Sequence, residues 1–241
     1  MDYLDFLELI KNRRSIRRFK SDPIPDEYIE KIIEAARWAP SGFNSQPWEF
    51  LVVKDKRLKD RILKSIDQHR NLIAAAESTG DKQKIRQMSL PWHDEEMDYH
   101  IAPVLIILFS DTRTKVALPD MGKRYSDKTR LLFNSSLSCA YIYMQLAATT
   151  LGLATQWLGA MPEAVKVIKQ ILGVPEEFDF YEMMPVGYPG YKPRPKLLRP
   201  RDKMVHYDRF TKDNIRTDEE VDDFARRTWT WTTANHRRGV D

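Results

Sequence analysis

The sequence predicts an α+β fold, a small sheet sandwiched by helices. Three observations carry that expectation. Short apolar runs at Trp48–Val53, Pro103–Ser110, Ala154–Leu158 and Phe180–Val186 have the length and the β-branched or aromatic content of strands. Between them lie longer segments whose apolar residues recur at helical spacing. The strands are too few for a doubly wound parallel sheet.

Taken in order, Leu4, Leu7 and Ile10 give residues 3–12 the pattern of a short helix, which delivers an arginine cluster at its C-terminal end. Residues 26–38 are the clearest helix. Pro25 stands at its start, Asp26 and Glu27 fill the first turn and Arg37 the last, with Ile29, Ile32, Ile33 and Ala36 as the apolar stripe. Lys56 to His69 is a charged amphipathic helix carrying Leu58, Ile62, Leu63 and Ile66. Residues 70–100 are polar and broken at Ser89-Leu90-Pro91, so they read as a helical lid or insertion outside the core; residues 111–128 read as a polar loop. From Leu131 to Pro162 no side chain is charged. That is long enough for a membrane span, but scattered Asn, Ser, Gln and Thr and a C-capping Gly152 favour a central helix buried against protein on all sides. Pro162–Leu172 is a helix with proline at its first position and Gly173 after its end. Four prolines between 188 and 203 predict an extended arm, and residues 217–227 a last helix.

At 241 residues and 42% hydrophobic content the chain can bury one large core. A net charge of +4 is a mild basic bias, suited to small anionic ligands without demanding nucleic acid. Cys139 is the single cysteine. This excludes an intrachain disulfide, a cysteine-based zinc site and an iron–sulfur cluster, and the uncharged surroundings suggest a buried structural thiol. Met1 to Asp5 do not begin a basic segment followed by an apolar one, so no secretory signal is expected and cytoplasmic residence is the default.

Two stretches stand out chemically. Arg13-Arg14-Ser15-Ile16-Arg17-Arg18-Phe19 gathers four guanidiniums and a hydroxyl, and arginine forks grip phosphate in bidentate fashion. The alternative is a solvated basic knuckle at a helix end. Ala39-Pro40-Ser41-Gly42-Phe43-Asn44-Ser45-Gln46-Pro47-Trp48 is a turn open to close backbone approach and carrying amide side chains.

With Gly152-Leu153 leading to Trp157-Leu158-Gly159-Ala160, and Pro185-Val186-Gly187-Tyr188-Pro189 followed by Arg199, these motifs resemble the nitroreductase family of flavin mononucleotide (FMN) enzymes over residues 5–207. The resemblance implies a mixed, mainly antiparallel sheet flanked by helices, a homodimer built across long helices, and an extended C-terminal arm exchanged between subunits. It divides the chain into an FMN-binding domain, 1–207, with 70–128 as a substrate-selecting lid or insertion, and a C-terminal extension, 208–241. Arg13, Ser15 and Arg199 match the phosphate site, Arg14 belongs to the same cofactor-binding set, and Arg17 matches the position beside flavin N1 and C2=O, where a cation favours the reduced ring. Asn44 and, more weakly, Gln46 would read the other pyrimidine edge. Pro40, Ser41 and Gly42 would line the ring, with Leu158, Gly159 and Ala160 on its opposite side and a main-chain N–H near N5. Where many members carry a lysine two residues before the closing arginine, this chain has Leu197, with Lys196 adjacent.

The activity implied is NAD(P)H-driven reduction of a small organic acceptor, such as a nitroaromatic or quinone, by a ping-pong mechanism. No catalytic side chain is assigned, because the flavin carries the electron chemistry; the sequence has no Gly-x-Gly-x-x-Gly turn. Iodotyrosine deiodinases, a branch of the superfamily, share the Ala-Pro-Ser-Gly motif and the lid placement, with Trp92, His93 and Tyr99 as candidate lid contacts. The full Glu, Tyr and Lys set of that branch is not found, so reductive dehalogenation is the alternative, beside a non-catalytic FMN-binding protein. Two further rivals are a metal site on His93, Glu96 and His100 and a nucleic-acid surface built on the arginine cluster and on Arg226, Arg227, Trp229, Trp231, Arg237 and Arg238.

Overall fold

The computed structural model describes residues 2–77, 99–117, 126–193, 195–211 and 215–237. Helix α1 spans Tyr3–Asn12 and starts from a capping box, in which Asp2 accepts from the Asp5 N–H at 2.9 Å and Asp5 accepts from the Asp2 N–H at 3.2 Å. Helix α2 spans Asp26–Arg37 and buries Ile29, Ile32 and Ala36. Strand β1 is Trp48–Val53, α3 is Lys56–Glu77, β2 is Val104–Asp111, α4 is Ser126–Thr150, β3 is Ala154–Thr155, α5 is Pro162–Leu172, β4 is Phe178–Gly187 and α6 is Asp218–Arg237. Gly173 ends α5 at φ 63°, and Gly152 follows α4 at φ 71°. Both are left-handed positions that glycine fills without a Cβ clash.

The strands form one antiparallel sheet in the order β1-β2-β4-β3. Leu158 extends the β3 edge through a bridge to Met183, and Ser15 makes a parallel bridge to Thr155. Alternation decides the rest. Val104, Ile106 and Leu108 of β2 point into one core with α2 and α4, while Leu105, Ile107 and Phe109 point into a second, with α3 and α5. Covered on both faces, β2 is buried from Val104 through Ser110. Each fully buried Leu or Ile there contributes roughly 1.5–3 kcal/mol.

Three expectations need correction. α4 is not enclosed on all sides: Leu131 is 67% and Tyr143 38% exposed, while Tyr141, Met144 and Ala148 on its other face are fully buried. Cys139 on the same helix is half-buried. Tyr99, expected in a lid, is buried in the second core with its hydroxyl on Asp67, and His100 stacks on it and bonds Asp67 Oδ2 at 2.9 Å. Tyr99 lies in the stretch that leads into β2 at Val104, so it packs with the core rather than over it. Trp92, His93 and Glu96 lie outside the described residues. Among the described residues no helix is long and apolar enough to cross a membrane, and no group of His, Cys, Asp and Glu could hold a metal.

Candidate functional site

The arginine cluster leaves α1 at Arg13, which adopts extended backbone (φ −64°, ψ 114°) while its N–H still bonds the Leu9 carbonyl at 3.0 Å. From there the chain runs alongside β3, where the Ile16 N–H donates to Thr155 O at 3.0 Å. That pairing half-buries Arg13, Arg14, Ser15 and Arg17. Burial lowers the pKa of all three guanidiniums; Arg13 is pushed the same way by the like charge of Arg14, whereas Arg17 is partly relieved by a hydrogen bond to Tyr191. Tyr191, which sequence reasoning missed, also lies under Arg18, whose guanidinium carbon is 5.0 Å from the ring centroid. Its signal was an aromatic within the Pro-rich arm. Beside it a cleft of about 450 Å³ is flanked by Arg14, Lys20 and Lys192.

Arg199 lies on the arm. It donates from its Nη2 to the Lys203 carbonyl at 3.0 Å, while its Nε is buried without a hydrogen-bond partner among the described residues. Lys196 is exposed and Leu197 half-buried.

The Pro40–Gln46 segment is built by strain. Gly42–Asn44 form a 3₁₀ turn, and Phe43, Asn44 and Gln46 have φ of 56°, 52° and 44°. Three non-glycine residues in left-handed backbone within four positions are costly, and such clusters concentrate at ligand sites. Hydrogen bonds hold the turn: the Gly42 N–H donates to Ser136 Oγ on α4 at 3.1 Å, the Gln46 N–H to Ser41 Oγ at 3.0 Å, and Gln46 Nε2 to Asn44 Oδ1 at 3.3 Å. A Cβ at Gly42 would lie 2.5 Å from the Leu132 side chain, so glycine is required for this approach. Pro40, Asn44 and Gln46 are exposed.

Leu158 is buried and paired with Met183 by two 2.9 Å backbone bonds; Gly159 is exposed and Ala160 half-buried. Trp157 stacks on Tyr141, with ring centroids 4.0 Å apart, and meets Tyr181 edge-on. Beneath this segment lies Glu182 of β4, also missed. A carboxylate in the middle of the run Phe180-Tyr181-Glu182-Met183-Met184 was a legible break in an apolar pattern.

The structure thus brings Arg13, Arg14, Ser15 and Arg17 together, and Leu158, Gly159 and Ala160 along the next edge of the sheet. It sets the Pro40–Gln46 turn apart from the arginines. That turn sits on α4 at Leu132 and Ser136, whereas the arginine cleft is walled by Thr149 in the last turn of α4 and by Leu153 just beyond it. Thirteen residues at 1.5 Å separate Ser136 from Thr149, about 20 Å along the axis.

Fold and site together define an α+β protein with half-buried guanidiniums beside β3 and a turn held in left-handed backbone. The chain belongs to the nitroreductase family, whose profile matches residues 10–188. It is 30% identical over 189 residues to iodotyrosine deiodinase 1 of Rattus norvegicus, a match covering 77% of this chain but only 62% of that protein's length. It is 28% identical over 209 residues to a protein of Methanothermobacter thermautotrophicus provisionally named an NADH dehydrogenase/NAD(P)H nitroreductase, covering 86% of this chain and 88% of the other. A crystal structure of oxidized iodotyrosine deiodinase bound to FMN and 3-iodo-L-tyrosine superposes with a TM-score of 0.63 at 25% identity, covering 85% of this chain and 99% of that one.

Proposed function

We propose that the chain is an FMN-dependent oxidoreductase, active as a homodimer in the cytoplasm, which uses NAD(P)H to reduce a small organic acceptor such as a nitroaromatic or quinone. The observation that carries the cofactor is Arg13, half-buried beside the like charge of Arg14, together with the Nε of Arg199, buried without a hydrogen-bond partner among the described residues. A guanidinium desolvated beside a like charge, as Arg13 is, becomes more favourable when an anion joins it, and a phosphate monoester supplies nearly two charges. The residues therefore fit FMN. Arg13, Arg14, Ser15 and Arg199 would hold its phosphate, and Arg17, oriented by Tyr191, its electron-rich ring edge. Pro40, Ser41, Gly42, Asn44 and Gln46 would bound the ring from one side and Leu158, Gly159 and Ala160 from the other, excluding water. When bound, FMN would supply the hydride chemistry.

The roughly 20 Å between Ser136 and Thr149 along α4 supports the homodimer, because one ring edge would be read by both Arg17 and Asn44. A second copy crossing antiparallel would bring its own Pro40–Gln46 turn to this arginine cluster. The open, uncharged face of α4 is the surface for it, as is α1, which buries no residue in a single chain and exposes Tyr3 and Leu4. Exchange of the C-terminal arm would deliver Arg199.

A ping-pong cycle follows if donor and acceptor use the same ring face in turn. The test is the absorbance spectrum of purified protein, then initial rates with NADH or NADPH and a nitroaromatic. Flavin bands and parallel double-reciprocal lines are expected; crossing lines sink the ping-pong mechanism, and a colourless protein that binds no added FMN sinks the whole reading. Similarity to iodotyrosine deiodinase favours a second acceptor class, halogenated phenols, which belongs in the same anaerobic screen.

A further inference from the structure

β4 carries a β-bulge. Leu108 pairs with Glu182 and Phe109 with Phe180, so Tyr181 is an extra residue on one strand. A bulge re-aims side chains, and here Tyr181 and Glu182 both reach partners beside α4. The Tyr181 hydroxyl lies 2.5 Å from Ser138 Oγ, and Glu182 takes the indole N–H of Trp157. The second carboxyl oxygen, Oε2, is buried with no hydrogen-bond partner among the described residues, 3.1 Å from where a Cβ on Gly159 would stand. Tyr141 of α4 donates instead to the carbonyls of Met183 and Gln156. Facing Glu182 are Tyr141 from α4, Tyr181 from β4 and Trp157 from the β3 edge, with apolar Leu108 opposite on β2. Lys166 and Lys169 of α5, with Asp179, line the neighbouring 540 Å³ cavity behind Tyr181 and Ala160.

An ionised carboxylate in that setting would be buried without a cation. The unpartnered oxygen is relieved if it carries a proton. We propose that Glu182 is a positioning residue that holds a proton at Oε2 under the Trp157–Ala160 segment and couples this segment to pH. The inference deepens the proposed function, since it rests on that segment facing the flavin. A charge beneath Gly159 would oppose negative charge arriving on a ring above it. Two-electron reduction that places one proton on the ring would then draw a second onto Glu182 whenever Glu182 begins ionised.

Burial raises the Glu182 pKa and outweighs the Trp157 hydrogen bond, which lowers it. The sign follows: the favourable contribution to folding is complete below the unfolded-state value and is lost as pH rises through the folded one. Two measurements test the proposal separately. Infrared spectra of the flavin-free chain should show a protonated carboxyl C=O stretch persisting at pH values where surface carboxylates are ionised, absent from Glu182→Gln. Trp157→Phe, which removes the donor, should move its titration to higher pH. With FMN bound, the pH slope of the midpoint potential should steepen above the Glu182 pKa in the native chain and stay shallow in Glu182→Gln. A missing carboxyl band overturns the proton assignment whether or not flavin binds. A band that titrates, beside identical potential slopes in both proteins, overturns the coupling alone. If Glu182→Gln does not fold, the Trp157→Phe shift decides: no shift refutes the assignment. Failure of FMN to bind leaves the infrared result standing and counts against the proposed function.

Discussion

Two stretches of α4, one around Leu132 and Ser136 and one at its C-terminal end, hold the two halves of the candidate site, and they are unfavourable for different reasons. At the C-terminal end the difficulty is electrostatic: guanidiniums half-buried side by side. Near Ser136 it is conformational: Phe43, Asn44 and Gln46 in left-handed backbone, pinned by Ser136 and by the close contact of Gly42 with Leu132. Electrostatic strain is relieved by a ligand of opposite charge. Backbone strain is not, and instead fixes a shape in advance of binding. The first half should therefore govern affinity and the second the geometry of the pocket.

The largest effect expected from this contrast is complementation. Arg13→Ala removes charge-assisted bonds to phosphate worth roughly 1.5–3 kcal/mol each and should weaken FMN binding by about 100-fold while the chain still folds. Gly42→Val should spoil the opposite half. If each site draws its halves from two chains, mixing the variants one to one restores an intact site in every heterodimer, about a quarter of all sites with random exchange. Flavin retained after dialysis measures it. No recovery would mean that both halves serve one ring within one chain.

A smaller effect separates folding from binding. Gly42→Ala overpacks the turn against Leu132 and should cost about 1–3 kcal/mol in urea unfolding of the flavin-free protein. An unchanged midpoint would show that Leu132 yields freely. Smallest is Phe43→Gly, which relieves a left-handed aromatic at φ 56°. It should stabilise the flavin-free chain by about 0.5–1 kcal/mol, the steric gain being partly offset by glycine's entropy, while loosening FMN. A destabilised variant would place Phe43 among the residues that hold the turn in shape.

Much of this architecture was legible in the chain because it is local. β1 begins and ends at Trp48 and Val53, as the apolar run predicted, and α5 at Pro162 and Leu172, with proline opening it and glycine closing it. The basic cluster at the end of α1 was equally readable, since a helix and its terminal residues are neighbours in sequence. The last helix, expected to stop near residue 227, runs to Arg237. Its charge pattern marked the start, while a polar helix gives little sign of its end.

What sequence determined by itself was composition, period and motif: which segments are helix or strand, and which residues have the chemistry to hold an anion. Only the tertiary structure decided that Glu182 is carried by a bulge to the floor beneath Gly159, that Tyr191 reaches Arg17, and that the two motif clusters stand about 20 Å apart along one helix. The physical reason is range. Helical period and capping act over a few residues, whereas strand register and the burial of a charge depend on partners dozens of positions away.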